Sequence, residues 1–197
     1  MSATIASLVA DTLLIVKRPD LVADVTLHVK NALLKAHSAD FWLKDLYETN
    51  FQFAVAAPLY AFDYKNLIPR WRTVKYLTII DPITLDTVRK LDPIPLEKWI
   101  DGYGYIRDYV FYLAGSNLQI RVSGSEQTFG VGCYLYPDTT LIAPSWIADE
   151  YPFAIIYEAA RTIFKLIGFD AQSAGAEKLL AEAMAEVRMT GITTVGD

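Results

Sequence analysis

Chemistry at a protein site needs a few side-chain types brought close together, and this sequence is sparing with them. Histidine occurs twice, at His28 and His37. On one helix they would stand ~13 Å apart along its axis, too far to share a metal ion. With a single cysteine, Cys133, no Cys/His cluster of metal-ligand spacing exists. His37, at the C-terminal end of its helix, reads as a partner for the helix dipole. Gly-x-Ser-x-Gly does not occur, and Val122-Ser123-Gly124-Ser125-Glu126 lacks the glycine frame of a nucleophile elbow. Gly102-Tyr103-Gly104 lacks the third glycine and the Lys-Ser/Thr of a phosphate loop. Gly130-Val131-Gly132 sits inside a strand pattern and reads as a bend or bulge.

Carboxylates are the remaining chemistry, since a glycosidase needs only two of them. Asp40, Asp45 and Glu48 are close in sequence, and Asp149 and Glu150 are adjacent. Acids just ahead of a helix ordinarily answer its positive end, and among 23 acidic residues close pairs arise by chance. Neither catalysis nor a cofactor nor a metal is expected.

The net charge of −5 carries no block of like sign, which argues against a protein built to grip nucleic acid. The lone Cys133 excludes an internal disulfide, and its alternating surroundings read as a buried strand. No basic segment precedes Ile5–Val16, so a signal peptide is not expected, and no apolar run approaches a bilayer span. Apolar residues make up 53% of the chain, with 12 Tyr, 9 Phe and 4 Trp. That excludes disorder and leaves two uses for the rings, a large aromatic core or a protein-binding surface.

The elements that must position these residues follow from periodicity. Ile5, Leu8, Val9, Leu13 and Val16 form one helix face, and Leu21, Val25, Val29, Leu33 and Ala36 another, with Pro19 between them. The short link predicts a helical hairpin. Strands are predicted at Gln52–Ala56, Thr73–Ile80 and Thr128–Tyr136, with a hairpin of Arg107–Leu113 and Leu118–Val122 turning at Ala114–Asn117. A short helix is expected at Ile94–Ile100. Ser145 caps a turn at Trp146–Asp149, and Pro152 opens a helix with Phe153, Ile156, Tyr157, Ala160, Ile163, Phe164 and Ile167 inward. Gly168 stops it, and a last helix buries Ala176, Leu179, Leu180, Ala183, Met184 and Val187.

The resulting expectation is α+β: a helical bundle formed by N- and C-terminal helices with a β-rich insertion. The helical body is residues 1–40 and 145–190, the insertion 41–144, and a loose C-terminal tail 191–197. Val29 and Phe164 are expected in one shared core.

Read in order, several segments resemble the head–tail connector (adaptor) family of tailed bacteriophages. They are Arg18-Pro19-Asp20-Leu21, Lys35-Ala36-His37-Ser38-Ala39-Asp40-Phe41, Ile68-Pro69-Arg70-Trp71-Arg72, the Tyr109–Arg121 hairpin, Cys133-Tyr134-Leu135-Tyr136-Pro137, and Ser145-Trp146-Ile147-Ala148-Asp149-Glu150-Tyr151-Pro152. The likeness spans about residues 4–190 and rests on order and spacing together. It implies a virion structural protein made in the host cytoplasm and sited at the head–tail junction. Such a protein forms a ring of twelve copies that docks under the portal protein and meets a nozzle or tail-tube protein of the tail. DNA passes the ring without sequence-specific binding, and no membrane, cofactor or catalysis is involved.

A closed ring needs large heterologous interfaces, where Tyr, Trp and Arg are the usual anchors. The interface candidates are Arg70, Trp71, Arg72, Trp99, Trp146 and Tyr151, each of which could instead be core packing. In the tail, Arg188, Ile192 and Val195 are candidates for portal docking, against an idle end; deletion of 189–197 is expected to spare the fold. Two other functions fit the same sequence: a tail-associated peptidoglycan hydrolase, and another neck or tail-completion protein.

Overall fold

The computed structural model describes residues 3–54, 58–100, 107–123, 128–140 and 145–192. In chain order the elements are α1 (Ile5–Val16), α2 (Val22–Ser38), β1 (Leu46–Gln52), β2 (Leu59–Asp63), α3 (Tyr64–Leu67), β3 (Trp71–Ile80), β4 (Thr87–Pro93), α4 (Leu96–Ile100), β5 (Val110–Ala114), β6 (Asn117–Arg121), β7 (Thr128–Leu135), α5 (Trp146–Glu150), α6 (Pro152–Leu166) and α7 (Asp170–Ile192). The chain divides into two compact units, Met1–Asp45 with Tyr136–Asp197, and Leu46–Leu135.

In the first unit, local signals set the helix ends. Thr4 and Ser7 form a reciprocal capping box at the start of α1, and Lys17 closes it in the left-handed conformation. A 3-10 turn at Pro19–Leu21, clamped by the Arg18–Asp20 ion pair, turns the chain into α2. Gly168, at φ 77, ends the α6 region as a residue without Cβ can. Leu8, Val25, Val29, Leu33, Ile155, Ile156, Ile163 and Phe164 share one core, so Val29 and Phe164 do meet there. Two expected inward residues face solvent instead. Phe153 is exposed and stacks on Tyr157, and Leu179 is exposed on α7. Their stripes are wider than the surface available to cover them.

The second unit is a seven-stranded sheet in the order β1-β7-β3-β4-β5-β6-β2. Every described neighbour pair is antiparallel except β4 and β5, which pair in parallel at Asp92–Val110 and Pro93–Phe111. The sheet curls, and the outer strands approach through their rings: Phe51 and Phe62 lie 5.0 Å apart, Phe53 and Tyr60 4.5 Å. Phe129, Val131 and Cys133 of β7 face the core of this unit. On the other face Gly130 and Gly132 leave a flat track. A Cβ at Gly132 would sit 2.4 Å from the Tyr76 ring, and one at Gly130 2.3 Å from Ile80. These glycines therefore permit close approach; register shifts lie in the β3–β7 ladder between Trp71/Thr73 and Val74/Tyr76 and in the β3–β4 ladder between Ile79/Ile80.

Several expectations are corrected. Helix makes up 50% and strand 27% of the described residues, but the helices are interspersed with the strands of the curled sheet. The arrangement of terminal helices bundled around a β-rich insertion is thereby overturned. The cause is local: Asp63 caps α3 through Lys65 and Asn66, and α4 follows Pro95, so helical turns break the strand region. Unit boundaries fall at 45/46 and 135/136 instead of 40/41 and 144/145. The first strand lies at Leu46–Gln52, ahead of the expected Gln52–Ala56, whose residues 55 and 56 are outside the described set. β2 and β4 had no counterpart in the sequence reading. Residues 191 and 192 belong to α7 and not to a loose tail; Gly191 packs so closely on Trp42 that a Cβ would be 2.4 Å from the indole. Deleting 189–197 therefore removes the end of a docked helix.

Candidate functional site

The sequence-derived interface residues separate into three places. Trp71 is 8% exposed and lies 4.4 Å from Tyr64, centroid to centroid, within the sheet core. It is a core residue, because β3 turns it toward the inside of the curl. Its neighbours Arg70, exposed at φ 65, and Arg72, half-buried, remain at the surface. Trp99 on α4 is half-buried against Tyr112 at 4.4 Å. Trp146 and Tyr151 flank α5 in the helical unit and are half-buried. Arg188 is exposed on α7, Ile192 ends that helix, and Val195 lies outside the described residues.

Around Trp146 the structure gathers residues that sequence reasoning missed. A 3-10 turn at Leu43–Asp45 follows α2 and carries Asp45 inward. The Asp45 carboxylate lies 2.6 Å from Nδ1 of His37 and accepts the Trp146 indole N–H at 2.8 Å. The His37 and Asp45 side chains are 2% and 5% exposed. His37 lies in the last turn of α2, as expected, and is in addition the buried partner of Asp45. Trp42, fully buried, sets its ring edge-on to Trp146 at 6.1 Å and donates its indole N–H to the Ala36 carbonyl at 3.1 Å.

The rim of this cluster is polar. The Lys44 ammonium lies 2.6 Å from Glu150 and 4.8 Å from the Trp146 ring centroid. Tyr151 sets its edge to Trp146 at 6.3 Å and donates its hydroxyl to Thr190 of α7 at 2.5 Å. Chemically this is a lock joining α2, α5 and α7. A buried charge-assisted pair fixes orientation, and the neighbouring cleft around Ala36 and Ala154 is lined by neither His37 nor Asp45. No spacing rule could have found it, since Asp45 and Trp146 are 101 positions apart.

Beside the lock, a cleft of about 190 Å³ has a floor of Ala32, Ala36, Ala39 and Ala154, with Lys35 and Arg188 at its lip. Glu158 borders it, 7% exposed, bound by Arg161 at 2.8 Å and Lys35 at 2.6 Å. Burial pushes the Glu158 carboxyl up, but the bonds from Arg161 and Lys35 outweigh it and hold the group below the usual range.

In the sheet unit, Glu48 and Tyr76 stand opposite Gly132 from its two sides, and the Tyr76 hydroxyl reaches over the glycine to donate to Glu48. Burial, then the Glu48 bond, pushes the Tyr76 hydroxyl up to about 12. Cys133 is buried, and burial pushes its thiol up to about 11, the state of an unreactive cysteine.

The flagged carboxylates are all engaged: Asp40 by the Phe41 N–H at 2.7 Å, Asp45 by His37 and Trp146, Glu48 by Tyr76, Glu150 by Lys44, and Asp149 by the Ala3 N–H at 2.7 Å. Among the described residues no group of three or more His, Cys, Asp or Glu is gathered as a metal site, and no helix is long and apolar enough to cross a membrane. No protein-family model matches the chain, and no curated protein matches its sequence.

Proposed function

We propose that this chain is a structural assembly protein of a tailed-phage virion, a head–tail adaptor that rings the underside of the portal and passes the junction on to the tail. The observation that carries the reading is the apolar surface. Ile83, Leu14, Met189, Leu166, Ile100 and Val88 are 89%, 75%, 73%, 67%, 66% and 65% exposed. Two of them, Ile83 and Val88, fall on the connection from β3 into β4 with exposed Leu85 between them, and exposed apolar side chains grouped in this way favour protein contacts. The order of sequence segments resembling the adaptor family supports the same reading. The engagement of the flagged carboxylates in ion pairs and hydrogen bonds favours it over a peptidoglycan hydrolase, whose acid must be free to give up a proton at a scissile bond.

The test is assembly. The purified chain, mixed with its portal, is expected to give a complex with twelve added copies by native mass measurement and a ring below the portal by electron microscopy. Absence of binding sinks the adaptor reading, and binding to the tail end alone makes the chain another neck or tail-completion protein. Clearing of purified peptidoglycan that E150Q abolishes would replace it with an enzyme.

A further inference from the structure

The most exposed large apolar side chain among the described residues, Ile83, sits on a turn whose amides are all hydrogen-bonded from Ile83 to Asp86. β3 and β4 are joined by Asp81–Asp86. The Asp81 carboxylate accepts from the Ile83 and Thr84 amides at 2.8 and 3.0 Å. The Leu85 amide donates to the Asp81 carbonyl at 2.9 Å, the Asp81 amide to the Asp86 carbonyl at 3.0 Å, and the Asp86 amide to the Thr84 hydroxyl at 3.3 Å. Every amide from Ile83 to Asp86 is thus satisfied within the turn, so its conformation is set before any partner arrives.

What the turn leaves unsatisfied is apolar. Ile83 is 89% and Leu85 61% exposed, with Val88 beside them at 65%. Leu85 also sits at φ 62, a left-handed region that disfavours any residue with a Cβ and that glycine would occupy freely. A leucine there is unfavourable in backbone and in hydration alike, and nothing in its own chain's core uses it. An outlier of this kind points to a side chain presented for contact.

The complementary surface lies on the helical unit. A groove of about 690 Å³ runs between α1 and α2 and the Thr139–Thr140 turn, with Ile5, Ala6, Val9 and Val22 along it. Three of its four threonine hydroxyls are spent internally. Thr4 accepts from the Ser7 amide, Thr26 donates to the Val22 carbonyl, and Thr140 donates to Asp138. A small molecule needs convergent polar groups to orient it, and this lining offers few. Lys30 is the one charged residue of the lining and makes no ion pair with any described residue. The turn carries two charges, Asp81 and Asp86, both acidic, which disfavours an anionic membrane surface and matches a groove marked by one lysine.

We infer that the Asp81–Asp86 turn of one copy seats Ile83 and Leu85 in the α1–α2 groove of a second copy, with Asp86 meeting Lys30. The contact is heterologous, since peg and groove are different surfaces, and a heterologous contact repeated by rotation closes a ring. The inference rests on the ring-forming reading above and supplies its subunit-to-subunit contact.

Single-cysteine reporters test it, because buried Cys133 stays silent toward maleimides. L85C and V22C are prepared separately, checked for an unchanged thermal midpoint, and treated with a short bismaleimide alone and mixed, across a concentration series. The expected result is a covalent dimer in the mixture only, and a ladder of oligomers from the double variant L85C/V22C. K30D and D86K should each lower the yield at least tenfold, and combining them should restore it. A dimer from L85C alone places peg against peg and overturns the proposal, as does the absence of mixed product at every concentration. The portal experiment stays separable: portal-bound rings without the cross-link remove this contact and leave the adaptor reading standing. Ladders from a chain that ignores the portal do the reverse.

Discussion

The helical unit and the sheet unit exclude water by different means. The helical core is aliphatic, built on Leu8, Val25, Val29, Leu33 and Ile155, with one indole, Trp42, fully inside. The sheet core is aromatic, with Tyr60, Phe62, Tyr64, Trp71, Phe111 and Phe129 filling the curl. Polar burial differs as well. The helical unit holds two near-buried carboxylates, Asp45 and Glu158, each paired with a base from another part of the unit or from its own helix. The sheet unit leaves Arg107–Asp92 exposed and Arg121–Asp108 half-buried. The lesson is that orientation in the helical unit is fixed by a few directional bonds, whereas in the sheet unit it is fixed by strand register and ring packing.

That contrast makes the indole and the phenyl at the two centres the most sensitive probes. Trp42→Ala and Phe129→Ala are each expected to cost about 3–5 kcal/mol in denaturant unfolding. If directional bonds matter as described, W42A should also release Trp146 and Tyr151, visible as a change in near-ultraviolet circular dichroism that F129A does not produce in the indole region. Equal spectra from the two variants would erase the distinction.

Removing charge at Glu158 should come next. Its folded carboxyl lies below the ordinary value, so it stabilises the protein above ~4.3, the unfolded pKa, and that contribution is lost as pH falls through the folded value. E158Q should cost ~2–3 kcal/mol near neutral pH, leaving Arg161 and Lys35 one neutral amide oxygen in place of the carboxylate, and should flatten the stability profile below about pH 5. An unchanged acid limb would refute the assignment.

α7 offers a sharper contrast within one helix. Gly175 has open space around its missing side chain, and Gly191 abuts Trp42. G175A should stabilise by about 1 kcal/mol, as helix propensity demands. G191A should destabilise by ~1–3 kcal/mol, because the buried indole has nowhere to move. Chemical denaturation of both variants decides it, and a gain from G191A would mean that the end of α7 is not docked.

The smallest effect belongs to the sheet surface. Tyr76→Phe removes the bond across Gly132 and should cost about 0.5–1.5 kcal/mol. With the folded hydroxyl pushed up to about 12, its contribution is fully present below the unfolded value near ~10 and lost as pH rises through the folded one. The wild-type chain should therefore lose more stability than Y76F over that alkaline interval.

How much could be read beforehand differed between the units for a physical reason. Helix α2 and helix α6 announce themselves locally, since the apolar stripe and the proline near each start, with Gly168 after α6, are signals of residue type and short spacing. β7 and the β5–β6 hairpin were legible because their residues are apolar on a period of two or joined by a tight turn. β1, with Tyr47, Glu48 and Asn50, and β4, whose Thr87–Lys90 are exposed, lack that alternation because they bury so little of their surface. Their identity as strands comes from their partners, not from their own side chains.

The candidate sites divide along the same line. By sequence alone the chain determined its caps, its turns, its single inert thiol, and the absence of familiar nucleophile and metal motifs, all of them matters of residue type and short spacing. Only the tertiary structure decided that Trp71 is core, that Trp146 shares an aspartate with His37, and that Gly191 is held against Trp42. These pairings join residues far apart in sequence, and long-range contacts are chosen by the packing of whole elements, for which no local pattern of side chains is a substitute.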